Sequence, residues 1–400
     1  MISLKIAPRF LILARALRMA NFLLPVSALF YVDKGATIGD LFLIQGIWGV
    51  SIFFLEIPSG YIGDIMSRKR VVAFSFFMAV LAFATIALGY GFWALLLAEL
   101  MLGFSWALYS GTAEAYYHDL LQSRSKQHKL HNKLAKLESY SMLSLTLSTL
   151  AGGFLYAWFG TNFCAWLTAS FCLIGFIIIC FLPDIKETRR IVSADVNKFQ
   201  DILNISKFTV RHPEIKWLIL FPAFFGALTF VLMWGLQPVM VAKDIPVYVF
   251  GFVMGFNMFC RTGWAHFSAV LLDKIKLRKT ARVLFYILCV GSMASVVVLS
   301  IPNTLVVYLM LGLMAIASAS QMAVEIITNT FIHHRIKSDE RSTVLSVKSM
   351  ICMMMSGALM ISLKPMIDGI GMQETFVICA LILIGTFISM KKLLKLRIKE

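Results

Sequence analysis

Apolar positions in this chain do not alternate with polar ones; they run. Long apolar stretches broken by short polar turns recur from end to end, and about 20 apolar residues suffice to carry a helix across a bilayer. Twelve such stretches can be drawn, at 8–31, 38–62, 70–90, 92–120, 134–158, 161–182, 215–241, 246–271, 281–300, 303–331, 343–366 and 372–391. The pattern predicts an all-α integral membrane protein with twelve transmembrane helices. The longest polar interruption, Pro183 to Lys216, has charges of both signs and separates six predicted spans from six. It divides the chain into a six-helix bundle at 1–182, a cytoplasmic linker at 183–214 and a second six-helix bundle at 215–400. Within the linker, VNKFQDILNISKFTV reads equally as a short amphipathic helix on the membrane surface or as solvated chain.

Composition agrees: 59% hydrophobic, 14% charged and a mean hydropathy of +0.82, against roughly 25% charged in soluble domains. A net charge of +16 invites a nucleic-acid reading, but the placement of that charge excludes it. Most of the 37 lysines and arginines fall in the turns on the N-terminal side of the membrane, and only Lys34, Lys243 and Lys364 on the other. The positive-inside rule then puts both termini in the cytoplasm. The first span runs past the length of a signal peptide's apolar core and reads as retained. All seven cysteines lie in apolar runs with no CxxC pair, which reads as packing rather than a disulfide framework or a metal site. No GxSxG, HExxH or phosphate-binding loop is present, so an enzyme is not expected, nor a cofactor.

The halves read as distant copies. Asp64 with its basic tail answers to Asp273 in LLDKIKLRKT, Glu114 to Glu325, and Glu138 to Lys348, at offsets agreeing within two residues. Parallel repeats flanking a midplane site are one transporter architecture.

Charges inside the spans cost roughly 2.5–3.5 kcal/mol each on insertion scales, so each implies a partner or a task. Arg15 and Arg18 share one helical face and read either as a cationic patch for a carboxylate or phosphate, or as internally paired or snorkelling side chains. Glu99 reads as a counter-charge to Arg18 or as a desolvated carboxyl that carries a proton. Glu56 and Glu114 are further candidates for proton coupling, although Glu114 with His118 and Asp119 also fits a cytoplasmic charge network with Arg68 and Glu138. Arg261, Glu325 and Lys348 supply the second half with its own charges, and Trp234 is a weaker candidate for contact with a ligand.

EIPSGYIGDIMSRKR, Glu56 to Arg70, resembles the signature between the second and third helices of the major facilitator superfamily: a glycine, an aspartate four residues on, a turn, then a basic triplet. Those positions are Gly60, Asp64, Arg68, Lys69 and Arg70, with departures at Ile65 and Ser67. The EIPSG lead-in, ARALRMANFLLPVSALFYVDKG and LLLAELMLGFSWALYSGTAEAYYHD are similar to one bacterial branch. Two family motifs are altered. Glu99 stands where many proton-coupled members have an arginine, and Ser148 and Thr149 precede Gly152 and Gly153 where exporters have Gly-Pro.

The resemblance implies two pseudo-symmetric six-helix bundles working by alternating access in a bacterial inner membrane. It also implies a latch of Gly60, Asp64, Arg68, Lys69 and Arg70, in which Asp64 approaches the N-terminus of the eleventh helix. The expected substrate is a small polar, anionic molecule such as a carboxylate-bearing metabolite, a siderophore or a drug, bound by Arg15, Arg18, Glu99, Trp234, Arg261, Glu325 and Lys348. Proton-coupled efflux by a monomer is the leading expectation. Uptake of a similar solute and a non-transporting membrane sensor are the alternatives.

Overall fold

The computed structural model describes residues 2–122, 130–185, 213–274, 277–336 and 338–397, and the amphipathic segment of the predicted linker lies outside them. Regular structure in these residues is helical. In the first half the helices are α1 (Ala7–Met19), α2 (Ser27–Asp33), α3 (Ile38–Ile65), α4 (Arg68–Leu88), α5 (Phe92–Tyr109), α6 (Thr112–Gln122) and α7 (Leu130–Phe181). The second half holds α8 (Pro213–Ala242), α9 (Val247–Lys274), α10 (Leu277–Ser300), α11 (Thr304–Ala319), α12 (Gln321–Arg335), α13 (Ser338–Ile370) and α14 (Met372–Arg397).

Nine stretches among the described residues are long and apolar enough to cross a membrane. One of them, in α7, is 46 residues long and is turned at Gly160, whose φ of 76° only glycine adopts without strain; α7 therefore supplies two of the predicted spans. The 28-residue α9 and the shorter apolar stretch Met372–Gly385 add to these nine.

The chain divides into two compact units. Unit one takes 1–36, 51–197 and 247–251; unit two takes 37–50, 198–246 and 252–400. The core of unit one gathers Leu11, Phe76, Tyr116, Tyr117 and Ile179 from α1, α4, α6 and α7. In unit two, Phe221, Phe225, Phe285 and Leu288 join α8 to α10. Glycines bring backbones together where a methyl group would not fit. A Cβ on Gly46 would lie 2.7 Å from the Gly357 carbonyl oxygen, and one on Gly153 would lie 2.9 Å from that of Val247.

Three predicted spans are interrupted. The first breaks between α1 and α2, where a 3-10 turn, Leu24–Val26, intervenes. Asn21 Oδ1 accepts from the Leu23 and Leu24 amides, at 3.0 and 3.1 Å, and α7 attends to the rest. Ser148 Oγ accepts from the Asn21 amide (3.0 Å), Thr168 Oγ1 accepts from Phe22 (3.3 Å), and Ser144 Oγ donates to the Ala16 carbonyl (2.6 Å). In a lipid-filled setting an opened helix persists only if such partners take up its freed backbone groups. The fourth span breaks at Ser110–Gly111 and the tenth at Ser320, each about one turn ahead of the glutamates matched by the sequence repeat, Glu114 and Glu325.

Candidate functional site

In unit one, α1 carries Arg15 and Arg18 on one face, and the two arginines meet different fates. Arg15 donates to Glu138 at 2.5 Å and stands 3.9 Å from Glu114, so it takes the paired alternative, with both carboxylates at least half exposed. Arg18 has no acidic partner among the described residues. Its guanidinium donates to Ser105 Oγ (2.7 Å) and, at 3.4 Å, to the Ser75 carbonyl. It also lies 4.6 Å from the Tyr109 ring centroid and 5.2 Å from that of Phe76. Those ring faces attract a cation by roughly 0.5–2 kcal/mol, less than an ion pair in the same setting. Its Nε and the Tyr109 hydroxyl are both buried without hydrogen-bond partners among the described residues.

The expected pairing of Glu99 with Arg18 does not form. Glu99 is buried on α5 and accepts a hydrogen bond from the Tyr31 hydroxyl of α2 at 3.1 Å. The break between α1 and α2 explains the separation, since it puts Arg18 and Tyr31 on different helices of one span.

Unit two concentrates its charge around Glu325. This exposed carboxylate on α12 is the acidic neighbour of both Arg261 on α9 and Lys348 on α13. Lys348 is buried, and its Nζ donates to Asn329 and, at 3.4 Å, to Thr328 Oγ1, so Glu325 acts on it through space. Among the described residues, two cations thus share one anion. Trp234 is buried on α8, its indole N–H without an acceptor among the described residues.

The remaining predicted positions scatter. Arg68 bonds Asp119 at 2.6 Å, with Lys69 and Arg70 beside it in the first turn of α4. The expected single network of Arg68, Glu114, Asp119 and Glu138 is therefore two clusters, because Arg15 claims the two glutamates. Glu56, Gly60 and Asp64 lie on α3 with side chains outside the described set, and the predicted latch with them. Among the described residues no group of three His, Cys, Asp or Glu could hold a metal ion.

At the end of unit one remote from the basic turns, Lys34 donates to the Ala87 carbonyl (2.7 Å) and Asn162 Oδ1 (2.8 Å). Burial holds its ammonium below the ordinary lysine range, offset in part by Asp33. In unit two, Lys364 bridges Asp40 (2.7 Å) and Asp368 (2.8 Å).

Sequence reasoning missed Ser105, Tyr109, Tyr31, Asn257 and Gln321. The aromatic and hydroxyl groups carry no charge to flag them, but a buried amide does signal itself in an apolar run, as Asn257 does in MGFNMFCR.

Residues 10–361 match the family model described as Major Facilitator Superfamily. A curated relative, an uncharacterized transporter of Buchnera aphidicola, is 25% identical over 170 residues, and the match spans 42% of each chain. Among solved structures, the nucleoside transporter NupG superposes with a TM-score of 0.79 at 14% identity, covering 98% of this chain and 100% of its own. A POT family transporter in complex with 5-aminolevulinic acid follows at 0.67 and 11%, covering 95% and 94%. A bacterial homologue of the human lysosomal transporter Spinster gives 0.65 at 15%, covering 92% and 81%. At such identities these likenesses establish the fold.

Proposed function

The chain belongs to the Major Facilitator Superfamily, and from that premise we propose that it is a secondary transporter of small organic anions, exporting them in exchange for protons. Arg18 is the observation that carries the anionic reading: a guanidinium inside a span, held by a hydroxyl, a carbonyl and two rings, with no carboxylate among the described residues to neutralise it. Arginine does not deprotonate to escape this, and a charge in that position costs several kcal/mol unless compensated. A ligand carboxylate supplies the missing counter-charge, and the planar guanidinium fork can receive it bidentately. The shared Glu325 of unit two leaves a second excess of positive charge of the same kind.

Glu99 is our candidate for the proton. It is buried on α5 and accepts a hydrogen bond from the Tyr31 hydroxyl, with no ion pair to Arg18. Export and a bacterial inner membrane follow the resemblance of the first and fourth spans to one bacterial branch, and the positive-inside distribution supports both termini in the cytoplasm.

Transport of a labelled panel of organic acids in proteoliposomes tests the whole reading. Arg18→Lys keeps the charge and loses the fork, and should lower anion uptake into inverted vesicles at least tenfold, with Arg18→Ala at background. Glu99→Gln should leave anion exchange intact and remove the response to an imposed pH gradient. Full anion transport by Arg18→Ala would sink the assignment of the cation.

A further inference from the structure

Unit two holds two amides whose oxygens are left over. Asn257 on α9 is 1% exposed, and its Nδ2 donates to the Ala315 carbonyl (2.9 Å) and Ser318 Oγ (2.8 Å). The Ala315 carbonyl only accepts, so the nitrogen must face it and Oδ1 must face away. That Oδ1 is buried with no donor among the described residues. Gln321 opens α12 directly after the helix break, and its amide leans on α8 at Gly226, where a Cβ would lie 2.9 Å from Nε2. Its Oε1 is likewise buried without a donor. Burying an unpaired carbonyl is destabilising, and native structures rarely tolerate it without a partner arriving from elsewhere.

Position links these two acceptors to the charged groups. Ser318, which Asn257 grips, and Gln321 flank the same helix break, three residues apart in the chain. One turn towards the basic turns, Arg261 follows Asn257 by four residues and Glu325 follows Gln321 by four. On a helix that spacing stacks one side chain over the next. A neutral, accepting layer thus lies about one helical pitch, ~5 Å, from a layer with more positive than negative charge.

We infer that unit two carries a subsite in which Oδ1 of Asn257 and Oε1 of Gln321 receive O–H or N–H donors of the ligand while its carboxylate lies towards Arg261 and Lys348. The ligand class is a hydroxylated carboxylate, of which a sugar acid is the simplest form: an anionic end and, about one pitch away, hydroxyl groups to donate. The carboxylate half rests on the anion-transporter reading above; the hydroxyl half rests on the two orphaned acceptors.

Three six-carbon probes on the purified intact protein separate the two halves by equilibrium binding and ligand-induced thermal shift: gluconate with both features, hexanoate with the carboxylate alone, and sorbitol with hydroxyls alone. Gluconate should bind at least tenfold more tightly than either. Gln321→Leu should bring gluconate down to hexanoate and leave hexanoate unchanged. Asn257→Ser, which retains a small hydrogen-bonding side chain, should move gluconate in the same direction and guards against a folding defect in the first variant. Hexanoate binding as tightly as gluconate overturns the subsite and spares the anion reading. Sorbitol equalling gluconate upholds the subsite and overturns the anion reading. Binding of none of the three overturns the ligand class proposed here.

Discussion

Glutamate is the scarcer partner among the interior charges of unit one, and the arginines divide it unevenly. Arg15 engages both Glu138 and Glu114, which is why Arg18, one turn on, is left to serine and aromatic groups. The need for partners was legible in the sequence, because the cost of a charge in lipid depends only on residue type and depth. The partners were not, since they come from other spans, 57 to 123 positions away. Glycine was less legible still: Gly46 and Gly357 look like any small residue in an apolar run, yet their backbones pack in contact. A Cβ on Gly46 would meet Ile361 as well as the Gly357 carbonyl oxygen, each at 2.7 Å. Gly46→Val should therefore destabilise unit two by overpacking, on the order of 1–3 kcal/mol or more. Thermal unfolding in detergent, followed by tryptophan fluorescence, should show a midpoint several degrees lower than that of Gly46→Ala.

At the level of elements, the apolar runs announced nearly every helix, and the interruptions within them went unread. Proline is the usual signal for a break and Pro25 does mark the first, but Pro58, Pro222, Pro238 and Pro365 lie inside the continuous helices α3, α8 and α13. The breaks at Ser110 and Ser320 carry no proline at all. They depend on hydroxyls returning to nearby carbonyls, as Ser320 Oγ donates to Ala317 at 2.6 Å, and such bonds become visible only when the chain is folded. Helix starts are clearer. Asn303 precedes α11 and its Oδ1 accepts from the Leu305 and Val306 amides at 3.0 and 3.2 Å, the geometry that favours asparagine as an N-cap. Asn303→Ala should cost about 1 kcal/mol, read as a lower midpoint of thermal unfolding, whereas Asn303→Asp should restore it.

For the molecule as a whole, hydropathy alone gave the all-helical membrane architecture, whereas the breaks in the fourth and tenth spans, at similar places ahead of Glu114 and Glu325, emerge only from the folded chain. The division into contact units was beyond it. Linear order assigns all of α3 to the first half, but Thr37–Val50 packs within unit two, through Asp40 with Lys364 and Gly46 with Gly357. A contact between residues so far apart leaves no periodic trace.

The unneutralised guanidinium of Arg18 has an electrical consequence. A carrier that binds a monoanion against it, or against the positive excess of unit two, is one charge more positive when empty than when loaded, and a full elementary charge crossing the membrane is worth about 2.3 kcal/mol per 100 mV. The empty carrier's return should then be the step that senses voltage. Anion-for-anion exchange should be indifferent to a potassium diffusion potential set with valinomycin, while net anion flux through the same vesicles should change several-fold when that potential is reversed. Equal sensitivity of the two modes would mean that some other group, and not the ligand, balances this arginine.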